Sequence, residues 1–209
     1  MNVFGMENIL SVALAFFVVT VSPGPANIAV ATVAMSAGRK NGLLFGAGLS
    51  FGLACWGIVA ATGMGAVLQG SVHLLFALKI FGGMYLLWLA FQSGRAALKK
   101  TVSVRDTPSK GRWFTRGLLL NLSNPKAVVA WMAALSMGLG VGDNNGHLTT
   151  ATLVCIALGF LNYATYAMAF SMPGFMVGYK RLRRWIDGIA AGLFAVAGIG
   201  LIRSTFSRQ

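Results

Sequence analysis

Residues 8–38, 41–78 and 144–179 contain no Asp, Glu, Lys or Arg, and each stretch exceeds the ~20 residues that carry a helix across hydrocarbon. A water-soluble fold of 209 residues has no interior large enough to hide that much apolar surface. Charged residues are 10 % of the chain, against roughly 25 % in ordinary soluble domains. The sequence therefore predicts an all-α, polytopic membrane protein, and it excludes extended disorder and a disulfide scaffold.

Seventeen basic residues against four acidic ones give a net charge of +13, which raises the question of nucleic acid. A nucleic-acid binder gathers its basic residues on one solvated face. Here they punctuate hydrophobic segments, as the positive-inside rule requires, so no nucleic-acid partner is expected. Six segments result: about Glu7–Ala37, Asn41–Val67, Val72–Gly94, Trp113–Leu139, Leu148–Val177 and Trp185–Ser204. Arg95 to Arg112 forms the longest hydrophilic connection, and Gly142 to Gly146 a short turn.

Counting bases orients the chain. Arg39 and Lys40, then seven residues from Arg95 to Arg116, then Lys180, Arg181, Arg183 and Arg184 put thirteen on one side. The other side has only Arg203 and Arg208. Both termini are thereby predicted outside, with the three basic connections in the cytoplasm. Residues 1–6 carry no Lys or Arg, so the basic start of a secretory signal is missing and the first segment is expected to be retained. Cys55 and Cys155 lie in apolar runs without CxxC or metal spacing. They are expected to be small buried packing residues, and no metal site or cofactor is expected.

Pro25 and Pro125 stand 100 residues apart, each near the middle of a long segment. This spacing suggests one transmembrane domain made of two inverted three-helix repeats, about 7–94 and 113–204, joined by the basic loop 95–112. Broken helices in matched positions of inverted halves point to a transporter's substrate site; a lone structural proline would only kink its helix. Pro23-Gly24-Pro25 removes two backbone donors and allows unwinding. The restarts near Ala26-Asn27 and Lys126-Ala127 would offer free N–H groups and positive half-helix ends. With the Lys126 ammonium and the Asn27 and Asn124 amides they would suit an anionic group such as a carboxylate.

Lys126 is about thirteen residues from either end of its segment, roughly 20 Å at helical rise and too deep for easy snorkelling. A charge at that depth is costly and marks function, although a lysine bonding carbonyls freed by the break would be the structural alternative. Lys79 is only ~10 Å from the outer end of its segment, where snorkelling competes with a site role. Asn162, Thr165 and Tyr166 share one helical face, with Tyr163 off it; packing and pocket lining are equally served. Gly42, Gly46, Ser50 and Ala54, with Gly48 and Gly52, predict close helix packing. Trp113 and Trp185 read as interfacial anchors. The acids are Glu7, Asp106, Asp143 and Asp187. Glu7, like His73, is expected near the outer surface and Asp187 near the inner one, so no carboxylate is expected at a segment centre.

Ser22-Pro23-Gly24-Pro25-Ala26-Asn27, Asn121-Leu122-Ser123-Asn124-Pro125-Lys126-Ala127, and Lys79 through Gly83-Met84-Tyr85-Leu86-Leu87-Trp88-Leu89 resemble the three motifs of the LysE/RhtB amino-acid exporter family. The resemblance covers essentially the whole chain. It implies a multi-pass secondary transporter, not an enzyme, that exports amino acids or close derivatives across the bacterial inner membrane by proton-coupled antiport; a homo-oligomer is left open. Its substrate site would comprise Pro23, Gly24, Pro25, Asn27, Lys79, Asn124, Pro125, Lys126, Asn162 and Tyr166. Two departures count against a basic cargo: Ala26 separates Pro25 from Asn27, and segment two has Gly48-Leu49-Ser50-Phe51-Gly52 where many members carry an acid. A neutral, small or apolar amino acid is favoured.

Two other classes compete: a membrane thiol carrier and a non-transporting membrane subunit. A Cys55→Ser, Cys155→Ser double variant separates the first, because an exporter should retain at least about half its transport without thiols, whereas thiol-dependent electron transfer should vanish.

Overall fold

The computed structural model describes residues 3–70, 72–98, 111–138, 145–172 and 174–206. Every regular element among them is an α-helix: α1 (Val3–Val21), α2 (Pro25–Ala37), α3 (Arg39–Gly70), α4 (Val72–Leu98), α5 (Trp113–Leu122), α6 (Pro125–Gly138), α7 (Asn145–Phe170) and α8 (Phe175–Phe206). Both proline clusters break their segments. α1 and α2 meet at 55°, and α5 and α6 at 63°. Each bent pair is long and apolar enough to be one broken span, and Arg39–Gly63, Gly146–Phe170 and Arg184–Arg203 are long and apolar enough to cross unaided. That makes three to five candidate spans among the described residues. α4, the third predicted segment, is a 27-residue helix but does not join this set.

Three expectations shift. Segment five ends at Phe170 rather than Val177, where the Ser171 N–H bonds Met168 O at 3.3 Å and the Met172 N–H bonds Ala169 O at 3.1 Å. Segment six, expected at about Trp185–Ser204, agrees with the candidate span Arg184–Arg203, although its helix begins ten residues earlier, at Phe175. The basic run from Lys180 to Arg184, expected as a connection, is helical, because Lys and Arg are good helix formers and α8 continues through it. Basic charge marks the edge of the apolar slab, not the end of a helix. Cys155 is buried as expected, whereas Cys55 is on the exposed side of α3. Most of the basic loop (99–110), the turn at 142–144 and Arg208 lie outside the described residues.

α3 is the central strut, packed between α5 and α7. Its two predicted glycine faces are both used. A Cβ on Gly42 would meet Ala34 of α2 at 2.7 Å, while one on Gly52 would meet Leu118 O of α5 at 2.9 Å. The tightest seam pairs Gly48 with the backbone of Phe114 and Leu118, and Gly117 with the backbone of Phe45 and Leu49. α4 runs along α8, where Gly83 and Gly198 face each other's carbonyls. Val12, Phe16, Leu49, Trp131 and Leu135 are fully buried between the helices, whereas Phe81, Trp185 and Val196 are more than 70 % exposed. An inside this well packed with an outside this apolar is the arrangement expected of a bundle solvated by lipid.

The seam yields a prediction. Gly117→Ala drives a methyl into backbone that cannot yield, and overpacking of this kind costs about 3 kcal/mol. Gly63→Ala meets nothing within 4 Å and should stabilise by up to ~1 kcal/mol through helix propensity. Thermal unfolding in detergent should therefore show opposite shifts for the two variants.

Candidate functional site

The breaks are places where backbone acceptors lose their helical donors. In a continuous helix each carbonyl accepts from the N–H four residues on, and proline has none. Pro23 and Pro25 therefore orphan the carbonyls of Val19 and Val21. Side chains replace the missing donors. Ser22 Oγ donates to Val19 O at 2.8 Å, and Tyr166 Oη to Val21 O at 2.8 Å. Asn27 Nδ2 reaches back to Thr20 O at 2.7 Å and Ser22 O at 3.0 Å. Asn162 Nδ2 in turn donates to Asn27 Oδ1 at 3.0 Å, which fixes the Asn27 amide. Gly24 caps α2 in extended backbone, without a side-chain cap, so the first N–H groups of α2 have no acceptor supplied by the cap residue.

Pro125 does the same to Asn121 O, which accepts the Asn124 N–H at 3.1 Å instead. Asn124 Oδ1 caps α6 by accepting the Lys126 N–H at 3.1 Å. Its Nδ2 donates to Asn121 Oδ1 at 3.2 Å. Asn121, fully buried, donates to Leu49 O and Tyr163 Oη. Trp56 Nε1 satisfies Leu122 O at 3.1 Å. The two helices restart at Pro25 and Pro125, one residue earlier than expected.

The two breaks touch. Lys126 Nζ donates to Ser22 Oγ at 2.7 Å and to Ser22 O at 3.2 Å, and a Cβ on Gly24 would stand 2.9 Å from that nitrogen. Lys126 thus does bond a backbone carbonyl at a break, but the carbonyl belongs to the opposite break and is not one of the two that the prolines orphan. An ammonium has three donors, and Ser22 engages two.

A cavity of about 310 Å³ opens from this junction. Pro23, Gly24, Pro25, Asn27, Asn124, Pro125, Lys126 and Tyr166 line it, as do Tyr85, Trp88, Gln92 and Ser93 of α4 and Asp187 of α8. It runs along α2 to Met35 and along α4 to Ala96, toward the helix ends that precede the basic residues. Past Lys126 a void of about 30 Å³ holds no more than water. Phe16 lines it and packs against Trp131, both fully buried, with ring centroids 4.4 Å apart. Trp131 Nε1 is anchored on Leu53 O at 2.9 Å. The cavity is open at one end and plugged at the other.

Two of the ten residues expected in the site do not line the cavity. Lys79 is buried on α4 away from it, and Asn162 supports Asn27 from behind. Thr165 is exposed, while Tyr163, off the predicted stripe, is buried and bonded to Asn121. The reason is that α7 lies against both breaks, so two of its faces carry polar partners. Asp187, expected near the inner surface, is at the start of the candidate span Arg184–Arg203, but its side chain is turned into the bundle. Because α8 starts at Phe175, Asp187 lies twelve residues into the helix, 1 % exposed and on the cavity wall. Glu7 and His73 are exposed. Ser22 and Asn121 belong to the proline motifs, yet only their partners across the bundle reveal what they do.

Facing helix breaks at the head of an otherwise one-sided cavity are the architecture of a membrane transporter rather than of an enzyme. A sequence profile of the LysE type translocator family matches residues 17–205, and the chain belongs to that family. It is 37 % identical over 204 residues to the threonine efflux protein of Escherichia coli K12, covering 93 % of this chain and 97 % of the relative. Similarity to the homoserine/homoserine lactone efflux protein of Salmonella typhimurium is 34 % over 117 residues, 56 % of each chain. An uncharacterized Escherichia coli membrane protein, YahN, is 26 % identical over 190 residues, 89 % of this chain and 85 % of the relative. No solved structure matches.

Asn27→Leu tests the accounting of the first break. It withdraws the donor from two buried carbonyls, each costing about 1–3 kcal/mol when left unmet. The variant should unfold at lower temperature in detergent, whereas Thr165→Val, on the exposed face, should not.

Proposed function

We propose that this protein exports small neutral amino acids, threonine and homoserine foremost, with the cargo's carboxylate held between the uncapped start of α2, the start of α6 and the Lys126 ammonium. The observation that carries the reading is the Lys126–Ser22 bridge. It sets a positive charge and two positive helix ends at the closed head of a cavity large enough for one amino acid. No acidic residue of α3 enters that cavity, which fits a neutral cargo. The threonine efflux relative, matched over nearly its whole length, supports the same cargo class. The relative named for homoserine and its lactone adds a chemical constraint: a lactone has no free carboxylate, so the amino group is what those named cargoes share with threonine.

In this reading α4 is a sixth span and residues 7–94 and 113–204 are inverted halves. The exchange α1–α2 for α5–α6 and α4 for α8 then explains why α1 packs on α6 and α4 on α8. By the positive-inside rule the open end of the cavity faces the cytoplasm of a bacterial inner membrane, with both termini outside. The structure is then the loading state, and export requires Phe16 and Trp131 to part. Proton coupling would supply the driving force.

Efflux from cells preloaded with labelled amino acids tests the proposal. Overexpression should lower intracellular threonine or homoserine, and a panel in which no amino acid moves overturns the reading. Lys126→Ala should cut efflux by about a hundredfold with normal membrane expression, in keeping with lost intramembrane charge; unchanged efflux would favour a subunit without cargo. Gly24→Ala keeps an allowed backbone, φ −160°, but pushes on Lys126 Nζ, and should slow transport about tenfold without lowering stability.

A further inference from the structure

Of the five buried Ser and Thr side chains among the described residues, four donate to a carbonyl one turn back: Ser22 to Val19 O, Thr32 to Ile28 O, Ser50 to Gly46 O and Thr152 to Leu148 O. Ser93 of α4 makes no such bond, and it lines the cavity. Just over two turns earlier on α4, Tyr85 lines the same cavity, and its buried hydroxyl has no hydrogen-bond partner among the described residues. A hydroxyl shut away from water without a partner is costly, and a phenylalanine would fill the same place without that cost. Tyr85, Leu89 and Ser93 follow at i, i+4 and i+8, so they share one face of the helix, and all three line the cavity. Leu89 packs with Ala130 and Ala133 of α6 and Phe194 of α8, and Tyr85 leans on that cluster. Ala130 is one turn past Lys126, so this face of α4 belongs to the closed head of the cavity. Trp88, its ring centroid 5.2 Å from that of Tyr85, lies against the phenol ring.

We propose that this face of α4 reads the side chain of the cargo: Tyr85 Oη and Ser93 Oγ bond its hydroxyl, and Leu89 packs on its carbon. The assignment rests on the amino-acid export reading above, in which Lys126 holds the carboxylate, and adds the contact that decides which amino acid is accepted. A hydroxyl both donates and accepts, so one cargo hydroxyl answers both protein groups. Threonine and homoserine each carry such a group on a short carbon chain. Valine has the shape of threonine with a methyl in place of the hydroxyl, and norvaline stands in the same relation to homoserine. Either analogue leaves both α4 hydroxyls unmet in a closed site. A site built to bond a hydroxyl rejects the molecule lacking it far more strongly than an apolar pocket rejects a missing methylene. Lys126 draws no such distinction, because the carboxylate is common to all four.

The full chain reconstituted in liposomes, with counterflow of labelled threonine, reads this directly. Unlabelled threonine, homoserine, valine and norvaline serve as competitors. In the wild-type protein valine should compete at least about tenfold more weakly than threonine, and norvaline than homoserine. The Tyr85→Phe, Ser93→Ala double variant removes two oxygens and little volume. It should raise the KM for threonine about tenfold and bring valine to within about threefold of it. Its unfolding temperature in detergent should not fall, because neither oxygen is bonded within the protein; a merely structural role would lower that temperature and leave the ratio of threonine to valine unchanged. Wild-type protein that takes valine as readily as threonine overturns the assignment without recourse to any variant. So does a double variant that keeps the wild-type gap. Threonine moved without discrimination against valine counts against this face of α4 alone. If the wild type moves neither threonine nor homoserine, the export reading fails and this assignment with it.

Discussion

Backbone polar groups inside hydrocarbon must be satisfied by the protein, and this fold is organised by that requirement. Two proline motifs remove donors from the middles of two helices. The bundle answers with a set of side chains whose positions are then no longer free: Asn27, Ser22, Tyr166 and Asn162 around the first break, Asn121, Asn124, Tyr163 and Trp56 around the second. α7 has to lie against both breaks to deliver its share, and α3 has to lie close enough to α5 for Leu49 O and Trp56 to reach it. The glycines at 48, 52 and 117 permit that approach. Packing and polar satisfaction are one arrangement.

The Lys126–Ser22 contact is where that arrangement becomes chemistry. A lysine on one break serves a carbonyl and a hydroxyl on the other, so the two interruptions cannot be considered separately. The contact ties together elements that an alternating mechanism would move against each other. It also holds an ammonium where a small anion can compete for it. On one side of it lies a cavity and on the other a void of water size backed by the Phe16–Trp131 pair.

Much of this was legible in the residue order. The charge-free runs required a membrane bundle, the proline motifs located both breaks, and their neighbours Asn27, Asn124 and Lys126 fell on the cavity. The failures have physical causes. α8 begins ahead of its membrane segment because basic residues at a membrane edge look like a loop while remaining good helix formers. Periodicity puts Thr165 with Asn162 and Tyr166 because it defines a face without saying what lies opposite, and the burial of Asp187 inside the bundle escapes it for the same reason.

Composition and order alone determined that the chain must live in lipid and that its backbone must fail at Pro23–Pro25 and at Pro125, because proline lacks a donor in every context. Ser22, Asn27 and Asn124 repair those failures locally, but Trp56 and Tyr166 act across separations of 66 and 145 residues along the chain, and no local pattern encodes those. Only the tertiary structure decided that Lys126 meets Ser22, that Asn162 serves Asn27 rather than a ligand, that Lys79 stays apart, and that a carboxylate from α8 shares the cavity with an ammonium from α6. Those pairings depend on how helices cross, and crossing is set by the small-residue seams taken together.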